Sequence, residues 1–257
     1  MSDVHRVPQG SAPLILEARK LTKRFGAVVI ADELDLSVRH GGALGIIGPN
    51  GAGKTTTLGM LSGEIAPDGG AVLLDGRDVS NLPAWKRARL GIGRTYQVPR
   101  PFGGLTVFEN ALVAAQEAGG LHAEHAHEAA AQAVVTCRLA KKVNTRAEDL
   151  GLIDRKQLEL ARALASRPSV LLLDEVAGGL SEDEVDELVL VIREVREQGI
   201  SLIWIEHVVR ALLAVVDELV CLDYGRVLAR GPSSEVLANA AVIESYLGSP
   251  ALAGDVR

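Results

Sequence analysis

The chain has 257 residues, of which 47% are apolar, and its formal net charge is −6. This length suits one large domain, and an acidic chain argues against a general binder of the nucleic-acid backbone, so we expect no nucleic-acid partner. The two cysteines, Cys137 and Cys221, fit neither a disulfide framework nor a metal-ligand spacing, which is typical of a reducing compartment.

The first predicted elements are strands. Residues 1–12 contain no apolar signal segment, and we predict a mobile tail there. Three later stretches then alternate apolar and polar side chains with turn residues between them: LILEARKLTKRFG, AVVIADELDLSVR and AVLLDGRDV. This period of two predicts antiparallel strands in the first part of the chain.

The remaining elements alternate short apolar runs with helical segments. The runs 44–47, 170–174 and 201–206 are typical of strands buried on both faces of a largely parallel sheet. The alanine-rich stretch at about 98–165 is predicted to form a helical subdomain. A helix after Ser181 and a hairpin turning at Gly225 complete the chain, and no run of about 18 apolar residues could span a membrane.

A glycine-rich motif follows the first buried strand and opens a helix. The stretch GPNGAGKTT fits the pattern G-x-x-x-x-G-K-[S/T], whose glycines let backbone N–H groups approach phosphate oxygens closely. Lys54 is expected to reach the β- and γ-phosphates and Thr55 to bind Mg²⁺, which predicts ATP and magnesium as cofactors. The predicted phosphate loop consists of Gly48, Pro49, Asn50, Gly51, Ala52, Gly53, Lys54, Thr55 and Thr56.

Two acids end the buried run VLLLDE. Asp174 would lie beside the phosphate loop and bind Mg²⁺, directly or through water. Glu175 would polarise a water molecule for attack on the γ-phosphate. The motifs and patterns together predict an α/β fold over residues 13–250. It would have a P-loop NTPase core with a mostly parallel sheet, an N-terminal antiparallel β region and the helical insert subdomain.

These motifs and their order resemble an ABC-type ATPase subunit. Gln97 in RTYQ resembles the family's Q-loop glutamine, His207 in WIEH resembles the switch histidine, and RKQLELARAL resembles the helix after the family's signature. The resemblance implies that Gln97 touches Mg²⁺, that His207 contacts the γ-phosphate, and that Phe25 stacks on adenine. Each residue also has a purely structural alternative: Gln97 could be a turn residue, His207 a strand-end histidine with its hydrogen bonds satisfied, and Phe25 a core residue.

Four longer segments, GIGRTYQ, LTVFENALVAA, LIWIEH and VIESYLG, resemble the ATPases of branched-chain amino-acid importers and their relatives. That resemblance implies a peripheral subunit on the cytoplasmic face of the inner membrane, pairing with a second ATPase subunit and a transmembrane permease, and indirectly with a solute-binding protein. The expected solute is a branched-chain or other hydrophobic amino acid, or a related amide or acid. The alternative is a soluble ABC-type ATPase without a membrane partner, such as a cluster-assembly ATPase.

The signature departs from the family's usual Leu-Ser-Gly-Gly-Gln. Here the corresponding stretch is LGLID, residues 150–154, which lacks the serine hydroxyl and carries an acid. Asp154 and Gln157 predict a capping-box-like helix start. Two hypotheses stay open: pairing with a different ATPase subunit that supplies an intact signature, or a symmetric dimer that tolerates the variant.

Two other clusters have weaker functional interpretations. The histidines of HAEHAH, at 122, 125 and 127, could bind a metal, although an exposed helix is the favoured interpretation. Lys86, Arg87 and Arg89 with Trp85 could contact nucleic acid, although a solvated helix end is favoured.

Overall fold

The computed structural model describes residues 12–247, so the predicted tail at 1–12 lies outside the described residues except for Ala12. The strands are β1 (Leu14–Phe25), β2 (Val28–Arg39), β3 (Ala43–Ile47), β4 (Gly69–Leu74), β5 (Arg77–Asp78), β6 (Ile92–Arg94), β7 (Val170–Asp174), β8 (Ser201–Ile205), β9 (Glu218–Asp223) and β10 (Arg226–Gly231).

Helices lie between and after these strands. The α-helices are α1 (Lys54–Ser62), α2 (Ala84–Arg89), α3 (Val107–Glu117), α4 (Ala123–Thr136), α5 (Leu152–Ala165), α6 (Glu182–Glu197), α7 (Val209–Leu213), α8 (Ser233–Ala238) and α9 (Ala240–Val242). Short 3₁₀ turns occur at Ala140–Lys142 and Ala147–Asp149, and a π-helical turn occurs at Ile243–Leu247. None of the helices within 12–247 is long and apolar enough to cross a membrane.

The alternating strands form a separate antiparallel sheet, as the sequence predicts. Its order is β2-β1-β4-β5, and β1 pairs antiparallel with both β2 and β4. One face of this sheet is apolar because side chains of β1, β2 and β4 point towards the core, whereas both residues of β5 are exposed. The N-terminal antiparallel region is therefore confirmed.

A six-stranded sheet in the order β10-β9-β3-β8-β7-β6 forms the centre of the molecule. β3 pairs parallel with β8 and β9, β7 pairs parallel with β8 and β6, and the terminal hairpin β9–β10 is antiparallel. Helices lie at crossovers between the parallel strands, as parallel pairing requires. The predicted mostly parallel α/β core is confirmed.

Two apolar cores lie on the two faces of this central sheet. On one face, Leu44, Ile46 and Ile205 pack with α1 and the antiparallel sheet. On the other face, Ile47 and Trp204 pack with α3–α7. Successive residues of each central strand enter opposite cores, which explains why those strands read as continuous apolar runs.

Helices α3, α4 and α5 pack on one another inside the predicted helical stretch 98–165. Thr106 begins α3 with a capping box, accepting from the Glu109 backbone N–H while the Glu109 carboxylate accepts from the backbone N–H of Thr106. The buried Asn110 amide bonds the Phe102 backbone and thereby fixes the segment after Gln97. The division of residues 13–250 as a single domain stays a prediction.

Two local predictions are wrong. Helix α5 begins at Leu152 with Gly151 as its N-cap, so Asp154 lies inside the first turn and forms no capping box with Gln157. Asp154 instead accepts a hydrogen bond from Lys142 at 2.5 Å, and Gln157 donates to Glu187. The Asp154 carboxylate, which the local sequence pattern predicts as a helix cap, thus bonds a lysine outside the helix instead.

Arg87 is the second correction. Although predicted at a solvated helix end, it is buried and donates to four backbone carbonyls, those of Met60, Leu61, Ser80 and Leu82. Trp85 is exposed, with Lys86 and Arg89 over its ring, so only this part of the cluster lies in solvent.

Candidate active site

The phosphate loop connects β3 to α1 and needs its glycines for physical reasons. Gly48 has φ +145°, and a Cβ there would lie 2.1 Å from the carbonyl oxygen of Leu222. Gly53, the N-cap of α1, has φ +95°, and a Cβ would lie 2.4 Å from the carbonyl oxygen of Ile30. Other residue types would strain or displace the backbone here, so these glycines fix the path of the loop, whose residues line a cavity together with Glu175.

Lys54 is folded back onto this loop. Its Nζ donates to the carbonyl oxygens of Gly48 at 2.7 Å and Pro49 at 3.0 Å. Burial lowers the pKa of Lys54, and the nearby Glu175 opposes that shift. A cation held only by two neutral carbonyls can exchange them for charged phosphate oxygens, with which its hydrogen bonds are stronger.

Asp174, at the end of β7, lies against the start of α1. Its Oδ1 accepts from the Thr55 hydroxyl at 3.3 Å, which brings two of the predicted magnesium ligands together. Burial raises the pKa of Asp174, while the neighbouring Arg94 lowers it. These oxygens are the ligand type that Mg²⁺ prefers.

Glu175 is held by both predicted catalytic neighbours. Gln97 Nε2 donates to its Oε2 at 2.5 Å, and His207 Nε2 lies 2.8 Å from its Oε1. The Glu175 backbone has φ +48°, in the left-handed region, and its N–H donates to the carbonyl of Ile205. The side chains of Gln97 and His207 therefore converge on Glu175, and the side-chain amide of Gln97 is hydrogen-bonded to Glu175 and not to the proposed magnesium ligands Thr55 and Asp174.

Three buried charged residues at this site were missed by sequence reasoning. Arg94 donates to Asp174, and Lys156 Nζ donates to the carbonyls of Gln97 at 2.9 Å and Glu175 at 3.3 Å. Glu206 accepts the backbone N–H groups of Ala177 and His207, and burial raises the pKa of its carboxyl. Two of the three could have been found from the sequence, because Lys156 lies on the apolar face of a predicted helix and Glu206 ends a buried apolar run. A charged residue at such a position indicates a buried charge with specific partners.

The remaining predicted residues lie elsewhere. Phe25 is 52% exposed, with the Lys23 ammonium 5.3 Å from its ring centroid, and it does not line the phosphate-loop cavity. The HAEHAH histidines form no metal site, because no group of three or more His, Cys, Asp or Glu side chains within residues 12–247 could hold a metal ion.

The altered signature forms the first turn of α5. Its N-cap, Gly151, has φ −69° and ψ 175° and offers no side-chain oxygen to the helix N–H groups. Leu152 is 48% exposed, and Asp154 places a carboxylate in the same turn, tied to Lys142. Where the family's usual pattern has Ser-Gly-Gly-Gln, this chain has Gly-Leu-Ile-Asp, so the turn lacks the serine hydroxyl and gains two apolar side chains and one carboxylate.

Comparison with known sequences gives two family matches. A model described as ABC transporter matches residues 31–178, which is more than half of the chain. A second model, described as branched-chain amino acid ATP-binding cassette transporter, matches residues 226–251.

Individual relatives extend these matches over most of the chain. The high-affinity branched-chain amino acid transport ATP-binding protein BraF of Pseudomonas aeruginosa is 36% identical over 249 residues, covering 91% of this chain and 98% of BraF. The lipopolysaccharide export system ATP-binding protein LptB of Escherichia coli K12 is 33% identical over 233 residues, covering 91% of this chain and 97% of LptB. A crystal structure of a nucleotide-free ATP-binding cassette from an ABC transporter matches with TM-score 0.84 and 27% identity, covering 91% of this chain and 99% of that chain.

Proposed function

Because this chain belongs to the ABC transporter family of ATPases, which bind and hydrolyse ATP, we propose that it powers an importer of a small solute. The solute class that we propose is branched-chain or other hydrophobic amino acids, or related amides or acids. The observation that carries this choice is the match of residues 226–251 to the model of branched-chain amino acid ATP-binding cassette transporters. The similarity to LptB, part of an export system, makes the direction of transport the point to test.

In this proposal, the phosphate loop binds the phosphates of ATP. Its glycines bring backbone N–H groups close to the phosphate oxygens, and Lys54 exchanges its two carbonyl partners for oxygens of the β- and γ-phosphates. Helix α1 begins at this loop and adds the positive potential of its N-terminus. Phe25 is proposed to stack on adenine, and its half-exposed ring is accessible for such a contact.

Thr55 and Asp174 are proposed to hold Mg²⁺, with Gln97 joining them when it releases Glu175. The hydroxyl and the carboxylate already face each other at 3.3 Å, which fits a hard cation with oxygen ligands. When bound, the metal neutralises charge on the β- and γ-phosphate oxygens.

Glu175 is proposed as the general base. A carboxylate with one oxygen on His207 and the other on Gln97 is fixed in orientation, and it accepts a proton from water once Gln97 has moved. His207 Nε2 carries the proton in this pair, since an ionised carboxylate only accepts hydrogen bonds. His207 would then orient the attacking water beside the γ-phosphate.

A second ATPase subunit is part of the proposal, with a membrane permease and, indirectly, a solute-binding protein. The chain would act peripherally on the cytoplasmic face of the inner membrane. We favour a different ATPase as the partner, because this chain combines a complete set of proposed hydrolytic residues with the altered segment 151–154. The partner would then present an intact signature to the phosphate loop of this chain.

The direct test is transport by a reconstituted complex. The chain is co-expressed with a candidate permease and candidate second ATPase, placed in vesicles, and ATP-dependent movement of leucine is measured in both directions. The proposal expects uptake that is lost with Glu175→Gln and kept with Glu197→Gln, an exposed glutamate on α6. Outward movement alone would overturn the importer assignment, and failure to copurify with any membrane subunit would favour the soluble alternative.

A further inference from the structure

Arg94 is a buried cation beside the proposed magnesium ligands. It ends β6, three residues before Gln97, and its side chain is only 8% exposed. The ring of Tyr96 covers the guanidinium, with its centroid 5.2 Å from Cζ, and Nε has no hydrogen-bond partner among the described residues. An arginine buried with an unsatisfied nitrogen is costly, so its other contacts must compensate for the cost.

Those contacts join two acids from different parts of the chain. One terminal nitrogen donates to Asp174 Oδ2 at 3.3 Å. The other donates to Glu64 Oε2 at 3.0 Å and to the Ser62 hydroxyl at 2.9 Å, and the Tyr96 hydroxyl also donates to Glu64. The planar guanidinium therefore connects the end of α1 to the end of β7 in a fixed geometry.

The two oxygens of Asp174 are thereby assigned to different partners. Oδ2 is occupied by Arg94, and Oδ1 faces the Thr55 hydroxyl. A terminal carboxylate has a broad torsional preference and turns easily unless something holds it. With Oδ2 held, Oδ1 stays turned towards the position where Thr55 and a phosphate-bound cation would meet it.

We infer that Arg94 is a positioning residue that orients Asp174 for the divalent metal that accompanies the nucleotide. The inference deepens the proposed function and rests on it, since it presupposes that Asp174 serves the metal. Residues that hydrogen-bond a metal ligand typically change metal affinity by about 10- to 100-fold when they are replaced.

The chain contains a matched control for a merely structural role. Arg87 is buried even more deeply and also holds the end of α1, through the Met60 and Leu61 carbonyls, but its hydrogen bonds go only to backbone oxygens. Replacing either arginine by lysine loses a fork of donors at the same helix end. Only the change at Arg94 alters the support of Asp174.

The experiment measures binding of a fluorescent ATP analogue to the full chain in a Glu175→Gln background, first in EDTA and then with rising Mg²⁺. Arg94→Gln is expected to leave affinity in EDTA within about twofold and to reduce the Mg²⁺-dependent gain by about 10-fold or more. Arg94→Lys is expected to show a smaller reduction, and Arg87→Lys an unchanged gain.

An unchanged gain in Arg94→Gln, or an equal reduction in Arg87→Lys, overturns the inference. If thermal denaturation shows that Arg94→Gln is unfolded, Arg94→Lys decides, and an unchanged gain there overturns it as well. If the Glu175→Gln chain without any further substitution binds no nucleotide, the proposed function fails and the inference fails with it. If that chain binds the nucleotide but its affinity does not depend on Mg²⁺, the inference about Arg94 and the metal role of Asp174 are overturned, while the proposed nucleotide binding stands.

Discussion

The phosphate loop and the signature segment, residues 150–154, each lead into a helix with a glycine N-cap, but the side chains in the first turn carry different charges. Both α1 and α5 have a glycine N-cap without a side-chain cap, so both present free backbone N–H groups. The first turn of α1 carries Lys54 and no acid, whereas the first turn of α5 carries Asp154. A helix N-terminus attracts anions, but the side chains in its first turn decide whether a phosphate can approach.

The glycines of the two segments also differ in how strongly their backbone geometry restricts the residue type. Gly48 has a conformation and surroundings that exclude any Cβ, while Gly151 has ordinary extended angles, and its nearest neighbour to an added Cβ is 3.7 Å away. The phosphate loop is thus constrained by geometry at each glycine, and the signature segment is not. At Gly151 the backbone therefore places no demand for glycine, whereas at Gly48 it does.

Replacement of the proposed base is expected to have a larger effect than any other change considered below. Glu175→Gln removes the proposed base and is expected to lower the rate of ATP hydrolysis by about 10²- to 10⁴-fold, with nucleotide binding retained. Steady-state phosphate release and equilibrium nucleotide binding measure the two quantities. Glu197→Gln is the control, and a rate close to that of the unaltered chain would remove Glu175 from catalysis.

Alanine substitution at Gly48 and at Gly151 is expected to affect stability to different extents. Gly48→Ala is expected to lower the free energy of unfolding by about 3 kcal/mol, because a Cβ both strains φ and meets the Leu222 carbonyl. Gly151→Ala is expected to cost less than about 1 kcal/mol. Urea denaturation of both variants provides the comparison, and equal losses would contradict it.

Lys156 connects the two segments, since it stands on α5 and donates to the Gln97 and Glu175 carbonyls. Lys156→Met removes the buried donor of both hydrogen bonds, although the Gly178 N–H still donates to the Glu175 carbonyl, and it is expected to lower the free energy of unfolding by about 1–3 kcal/mol. Arg155→Met changes the adjacent exposed cation and is expected to cost less than about 0.5 kcal/mol. Chemical denaturation checks this pair, and similar small losses would show that Lys156 is not a structural link.

A fourth change makes the signature segment resemble the family pattern. Gly151→Ser, Leu152→Gly, Ile153→Gly and Asp154→Gln are combined, and ATP hydrolysis by the purified chain alone is measured. If the altered signature limits a symmetric dimer, the rate rises by about 10-fold or more, because one hydrogen bond to a charged group contributes about 1.5–3 kcal/mol. A full rate before the change, with no gain after it, would favour the tolerant symmetric dimer.

The smallest expected effect concerns the ion pair that replaces the capping box. Lys142→Ala removes the partner of Asp154 and is expected to lower the free energy of unfolding by about 0.5 kcal/mol, since the lysine is 48% exposed. The loss should shrink in 1 M NaCl, where the Debye length is about 3 Å. Lys141→Ala, at the neighbouring exposed position, is the control, and a loss independent of salt would show that the pair does not act electrostatically.

The capping predictions show which parts of this fold are readable from sequence. The box of Ser181 and Glu184 is confirmed, because its donors and acceptors all lie within four residues. The box of Asp154 and Gln157 is wrong, because Lys142 lies in another segment and takes the carboxylate. Local pattern predicts a helix end when no distant residue competes for its side chains.

The same limit applies to the candidate site. Lys54, Thr55 and Asp174 could be predicted because motif and strand-end position place them together, and the structure brings all three to one edge of the sheet. Arg94 could not be assigned, because its partners come from α1, the loop after it and β7. A long side chain that joins distant segments leaves no periodic signal around its own position.

The pairing of β3 has a consequence for synthesis of the chain. Ala43 pairs with Leu202, and Leu44 pairs with Glu218, so the strand that precedes the phosphate loop finds its neighbours only near the other end of the chain. At a translation rate of about 5–20 residues per second, those partners emerge from the ribosome on the order of ten seconds later. Until then, the apolar strand has no sheet to enter, and this region of the nascent chain is the one that a chaperone would have to shield.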